Sequence, residues 1–195
     1  MKPCLGPALA LLLTATAAPA QVDLRAADAA RLDGFESAAG RALLQALAGG
    51  AEGDVAALVT ALSGTPQVAF DETLAGDWSC RTMKLGGISA LVVYTDFRCR
   101  FTLRPDGTFA FEKLTGSQLT HGTISFREGR AVYVGVGYVA DETPADYADL
   151  PADFVSDGRV QTDVAVFERV SPRRARLMFP APAVESDFDI LELTR

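Results

Sequence analysis

Residues 91–104 read LVVYTDFRCRFTLR, and this stretch decides the fold class. One set of alternate positions is mostly apolar and comprises Leu91, Val93, Thr95, Phe97, Cys99, Phe101 and Leu103. Most positions between them are polar or charged. A period of two places successive side chains on opposite faces of an extended chain. The stretch therefore predicts one long β-strand with a single buried face.

Further strand-sized runs lie on both sides of this stretch, separated by turn signals such as Gly86-Gly87 and Asp106-Gly107. Eight strands are predicted, at residues 77–84, 91–104, 108–113, 117–126, 131–139, 160–170, 174–179 and 187–194. Most connections are too short for a helix, so neighbouring strands should pair antiparallel. We therefore expect an α+β fold that is mainly β. Residues 71–195 would form an eight-stranded up-and-down barrel or a strongly curved open sheet.

The segment 21–70 is predicted to form a helical pair packed on the barrel. Helical spacing is shown first by Leu32, Phe35, Ala39, Leu43 and Leu47, and then by Val55, Leu58, Val59 and Leu62. Gly49-Gly50 should end the first helix and Gly64 the second. The first helix carries charges of both signs, which disfavours binding to a membrane surface.

Residues 1–20 have the pattern of a secretory signal peptide. Lys2 provides a positive start, residues 5–18 are apolar, and Ala18-Pro19-Ala20 supplies small residues before a cleavage site. The apolar run is shorter than the roughly 20 residues that span a bilayer. We therefore expect cleavage before Gln21, a periplasmic or secreted protein, and no integral membrane segment.

The composition further limits the partners and the kinds of site that are expected. A formal net charge of −7 disfavours nucleic acid as a partner. Cys4 lies in the leader, so Cys80 and Cys99 remain as a single pair, which predicts a disulfide in an oxidising compartment. The only histidine, His121, has no nucleophile close to it along its strand, and it is expected to be an ordinary strand residue. The pattern favours a protein that is not an enzyme, with no metal and no cofactor.

The expected function is a binding module that holds a small apolar molecule inside the barrel, although a solidly packed interior remains open. Gly135 and Gly137 share one strand face, where missing side chains allow close packing or leave space for a ligand. The candidate interior residues are Trp78, Phe97, Phe101, Tyr133, Gly135 and Gly137.

The alternative function is an interaction or inhibitor module that binds another envelope protein. It would act through the acidic connection 140–159 or through a strip of arginines. That strip would contain Arg98, Arg100, Arg104, Arg169, Arg173, Arg174 and Arg176. The same arginines are also explained as a solvated barrel exterior.

Gly76-Asp77-Trp78, at the start of the first strand, resembles the lipocalin and wider calycin pattern. That resemblance implies a basic residue packed over the tryptophan, either Arg195 or Arg176. A second resemblance covers most of the chain after the leader. Residues 74–87, 94–100, 112–118, 179–180 and 185–191 are similar to an exported proteobacterial family catalogued as a domain of unknown function, DUF4893. It implies no activity.

Overall fold

A computed structural model describes residues 22–67 and 70–195. The predicted signal peptide and the predicted cleavage site before Gln21 lie outside these residues. The described part contains three α-helices, which are α1 (Ala26–Asp33), α2 (Phe35–Gly49) and α3 (Glu52–Leu62). The sequence predicts a pair of helices, whereas the structure has three. The additional helix arises because α1 ends at Asp33 and Gly34 separates it from α2.

Eight strands follow the helices and close into a barrel. They are β1 (Gly76–Leu85), β2 (Leu91–Leu103), β3 (Phe109–Lys113), β4 (Gln118–Arg127), β5 (Arg130–Val139), β6 (Val160–Ser171), β7 (Arg174–Pro180) and β8 (Phe188–Thr194). Each strand pairs antiparallel with the next, and β8 pairs with β1. The predicted α+β, mainly β fold is confirmed, and the sheet is a closed barrel.

The prediction of one buried face along residues 91–104 is wrong, because β2 contains a β-bulge. Arg81 pairs with Asp96 and Met83 pairs with Val93, so Tyr94 and Thr95 together lie opposite one residue of β1. An extra residue reverses the alternation of side chains beyond it. Leu91 therefore packs in the apolar cluster outside the barrel. Cys99 packs in the cluster inside it.

The helices lie against the outside of the barrel. Ala38, Ala42 and Ala46 are the buried residues of α2, and their small side chains allow the helix to approach the strands closely. The sequence places Leu47 on the apolar side of this helix, but this residue is 53% exposed, so the prediction is wrong at this position. At one point of contact, Phe35 meets the ring of Phe188 edge to face at 5.4 Å between centroids. The outer face of the barrel beneath the helices is thus apolar.

One end of the barrel interior, here called the packed end, is filled by aromatic and aliphatic side chains. These are Trp78, Phe101, Phe109, Phe111, Phe167, Leu177 and Leu193. The rings of Phe101 and Phe111 lie 4.8 Å apart between centroids. The predicted disulfide is confirmed: Cys80 on β1 and Cys99 on β2 are bonded within this cluster.

The packed end is closed by Arg195. The guanidinium carbon of Arg195 lies 4.2 Å from the centroid of the Trp78 ring, and Arg195 also donates to the Ala75 carbonyl. The Trp78 indole donates to the Leu74 carbonyl at 2.9 Å. Of the two basic residues that the calycin resemblance suggested, Arg195 is therefore the one over the tryptophan. Arg176 instead donates to Glu168.

Candidate ligand-binding cavity

The opposite end of the barrel interior, here called the open end, contains a cavity of about 280 Å³. For comparison, an engineered cavity of roughly 150 Å³ in another protein binds benzene. The side chains around it include Thr82, Lys84, Phe97, Lys113, Asp163 and Asp189. Apolar and ionisable groups therefore share the surface of one cavity.

A buried hydrogen-bonded network forms one wall of the cavity. The Thr120 hydroxyl lies 2.8 Å from Asp163 Oδ2 and 2.7 Å from the Tyr133 hydroxyl. It also lies 3.1 Å from the Val136 carbonyl. Asp163 is only 7% exposed and Tyr133 is fully buried. Three strands thus contribute polar groups to one point, where hydrogen bonds offset the cost of their burial.

Gly137 makes this network possible. It lies on β5 between Thr120 on β4 and Gln161 on β6. A Cβ atom at this position would lie 2.5 Å from Asp163 Oδ2. Because glycine lacks that atom, the Asp163 carboxyl group reaches across β5 to Thr120.

Gly135 has a related role beneath the network. A Cβ atom there would lie 2.3 Å from the Tyr133 hydroxyl, and one at Gly122 would lie 2.8 Å from Tyr133 Cε2. The two glycines therefore leave room for the Tyr133 ring to lie along the sheet. The space that the sequence indicated at Gly135 is filled by this tyrosine.

Two lysines lie on the cavity wall, and each has partners within the chain. Lys84 donates to Gln118 Oε1 at 2.9 Å and forms an ion pair with Glu185. Lys113 donates to the carbonyls of Thr115 and Gln118, and its ammonium nitrogen lies 3.9 Å from the centroid of the Phe97 ring. Burial, with a smaller contribution from nearby Lys84, lowers the pKa of Lys113 to about 8.

Two carboxyl groups on the wall are shifted towards their protonated forms. Burial raises the pKa of Asp189 to about 7, against the opposing effects of the Ser186 hydroxyl, which donates at 2.6 Å, and of Lys84. Lys84 and Asp189 are directly opposed on β1 and β8. Burial also raises the pKa of Asp163, although Thr120 donates to it. Near neutral pH the Asp189 carboxyl group of this wall can therefore gain or lose a proton.

The structure separates the six residues that the sequence selected for the interior. Phe97 borders the cavity. Trp78 and Phe101 lie in the packed end, whereas Tyr133 lies beside the polar network. The sequence reasoning missed Lys84, Asp163 and Asp189. Their signal was a charged residue at an inward position of a strand that also places apolar residues inward.

The acidic connection 140–159 is held against the rest of the protein. Tyr147 is buried, donates to Asp28 of α1 at 2.8 Å and accepts from the Arg25 backbone. Asp146 lies 3.1 Å from Nε2 of His121, on the outer side of β4. Arg159 forms ion pairs with Asp141 and Glu142. Several of its acids are therefore paired within the chain.

The arginines of the predicted strip belong to different local structures. Arg100 forms an ion pair with Asp77, and buried Arg169 does so with Asp71. Arg174 and Arg176 donate to the carbonyls of Thr60 and Ala61, at the C-terminal end of α3. Cations at that end of a helix satisfy its last carbonyls and complement its dipole. These two side chains thereby fasten the helix to β7.

Comparison with known proteins identifies a family. Within residues 22–67 and 70–195, no helix has the length and apolar character needed to cross a bilayer. A search of curated proteins gave no match. A family model described as "Domain of unknown function (DUF4893)" matches residues 21–193. The chain therefore belongs to the DUF4893 family.

Proposed function

We propose that the protein is an exported binding module that holds a small molecule in the cavity at the open end. The observation that carries this proposal is the contrast inside one barrel, where a solid aromatic end adjoins a cavity of about 280 Å³. Ligand sites in proteins are typically concave, with apolar walls and a few polar groups that orient the ligand. The cavity has both components.

The character of the walls points to a ligand with polar as well as apolar groups. Phe97 and Phe179 offer apolar surface, while Lys84, Asp163 and other polar residues border the same space. A purely apolar ligand would displace water from these polar groups without offering them a hydrogen bond, which is unfavourable. An amphipathic small molecule satisfies both parts of the wall.

The single histidine lies outside the cavity. His121 contacts Asp146 and the ring of Tyr138 and lies on the outer side of β4, away from the polar network. A general base must lie within hydrogen-bonding reach of the group that it deprotonates. His121 therefore offers no acid–base chemistry to a ligand in the cavity.

Export is proposed from the leader pattern of residues 1–20. The disulfide between Cys80 and Cys99 supports it, because such bonds persist mainly in oxidising compartments. The alternative, an envelope-protein partner bound through residues 140–159, has weaker support. Asp141, Glu142 and Asp146 already have partners within the chain.

Native mass spectrometry of protein purified from its own host tests the proposal. We expect a retained small-molecule adduct on the wild type and its loss in Thr82→Phe, because the added ring fills the cavity. Thr102→Phe is the matched control, since Thr102 lies exposed on β2. No adduct on repeated wild-type preparations, or equal adducts on both variants, would contradict binding in the cavity.

A further inference from the structure

We infer that the ligand carries an ammonium group that binds between Asp163 and Asp189, an inference that rests on the proposed function. Both residues border the cavity, on β6 and β8. Their carboxyl groups are the acidic groups of the cavity wall that lack an ion pair within the described residues. An ammonium group supplies the missing positive charge.

The two lysines of the cavity wall already have partners within the chain. Glu185 forms an ion pair with Lys84, which also donates to Gln118. Lys113 has two carbonyl acceptors and the face of the Phe97 ring. By contrast, Asp163 interacts with the neutral side chains of Thr120 and Gln161, and Asp189 accepts from the Ser186 hydroxyl. When these carboxyl groups ionise, no cation of the described residues is in ion-pair contact with them, and Arg31 and Lys84 act on them only over longer distances.

The chemistry of an ammonium group matches this wall. It offers three N–H donors and no acceptor, whereas ionised carboxylates are acceptors only. A buried carboxylate without a cation is costly, and a desolvated ion pair with good hydrogen bonds offsets that cost. The apolar part of such a ligand would lie against Phe97 and Phe179, which border the same cavity.

Binding should be linked to proton release. Asp189 has a pKa of about 7 in the unliganded protein, and a bound ammonium group would favour its ionised form. The charged and titratable groups around the two carboxyl groups are Lys84, Lys113, Tyr133, Glu185, Asp28 and Arg31. Lys113 keeps its charge through most of this range, since its pKa is about 8. Affinity should therefore rise between pH 5.5 and pH 7.5, by roughly tenfold.

Isothermal titration calorimetry with three probes of similar size tests the inference. The probes are phenethylamine, 2-phenylethanol and 3-phenylpropionate, each titrated at pH 5.5 and pH 7.5 in two buffers of different ionisation enthalpy. We expect phenethylamine to bind best and to release protons. We expect Asp189→Asn and Asp163→Asn to weaken it at least tenfold, as expected when a charged partner is lost. Asp96→Asn, an exposed change on β2, is the control for charge alone.

The outcomes separate the inference from the proposed function. Tighter binding of the alcohol or the carboxylate would overturn the ammonium inference and keep the cavity as a ligand site. Unchanged amine binding in folded Asp189→Asn, verified by circular dichroism, would also overturn it. Failure of all three probes, together with host-purified protein that carries no adduct, would reject both the inference and the proposed function.

Discussion

The two ends of the barrel interior use the same strands for opposite purposes. On β1, Trp78 and Cys80 face the packed end, whereas Thr82 and Lys84 face the cavity. On β8, Leu193 lies in the packed end and Asp189 borders the cavity. The alternation of side chains is common to both ends, so the difference lies in which residue types occupy the inward positions. The packed end stabilises the barrel, and the open end accepts buried polar groups that a stable core would avoid.

The largest expected effect compares two phenylalanines on the inward face of β2. Phe101 is 1% exposed in the packed end, whereas Phe97 is only partly buried beside the cavity. Phe101→Ala should lower the free energy of unfolding by about 3–5 kcal/mol, because it leaves a cavity in close-packed surroundings. Phe97→Ala should cost about 1–2 kcal/mol, since less apolar area is lost. Urea unfolding of both variants provides the measurement. Equal losses of unfolding free energy would contradict the difference in packing between the two ends.

The disulfide is the next largest contribution of the packed end. Cys80 and Cys99 are 19 residues apart in the chain. Closing a loop of that length should stabilise the fold by about 3 kcal/mol in the chain-entropy model. We expect the double variant Cys80→Ala/Cys99→Ala to lose at least that much in urea unfolding. If reduction of the wild-type protein left its unfolding midpoint unchanged, the bond would not have this role.

The open end should make the stability of the protein depend on pH. The pKa of Asp189 is raised to about 7 in the folded protein, so the folded state holds a proton that the unfolded state releases above its ordinary pKa of 3.8. The contribution of Asp189 to stability must therefore fall as pH rises from about 4 to 7, and then level off. Asp189→Asn removes this fall, so the stability of the variant relative to wild type should rise by about 2.5 kcal/mol between pH 5 and pH 8. A constant difference in the free energy of unfolding across that range would contradict a buried carboxyl group.

The smallest change in stability is expected in the acidic connection 140–159. Arg159 forms exposed ion pairs with Asp141 and Glu142 in the acidic connection. Exposed pairs usually contribute less than about 1 kcal/mol. Arg159→Ala should therefore change the thermal midpoint little, and the difference should shrink further in high salt. A larger loss would indicate that the connection helps to hold the barrel together.

The barrel could be predicted from sequence because its signals are local. The alternation along residues 91–104 and the turns at Gly86-Gly87 and Asp106-Gly107 depend only on near neighbours. The bulge at Tyr94 and Thr95 could not be found in this way. It is visible only in the pairing of β2 with β1, since the sequence alternates without interruption through it.

The candidate site depended on contacts that no local pattern contains. Asp163 and Thr120 are 43 residues apart in the chain. Their side chains meet because Gly137, on the strand between them, has no side chain in the way. The sequence did indicate that the glycines permit a close approach, but which groups approach is decided by the register of β4, β5 and β6. Likewise, Lys84 and Asp189 become neighbours only when β8 closes on β1.

Nuclear magnetic resonance titration with phenethylamine tests the contrast between the two ends most directly. The single tryptophan, Trp78, provides one indole signal that reports on the packed end. The backbone amides of Thr82, Gly137 and Gln161 report on the open end. We predict saturable shifts at these amides at pH 7.5 and no movement of the Trp78 indole signal. A shift of the indole signal without shifts at the three amides would contradict the account.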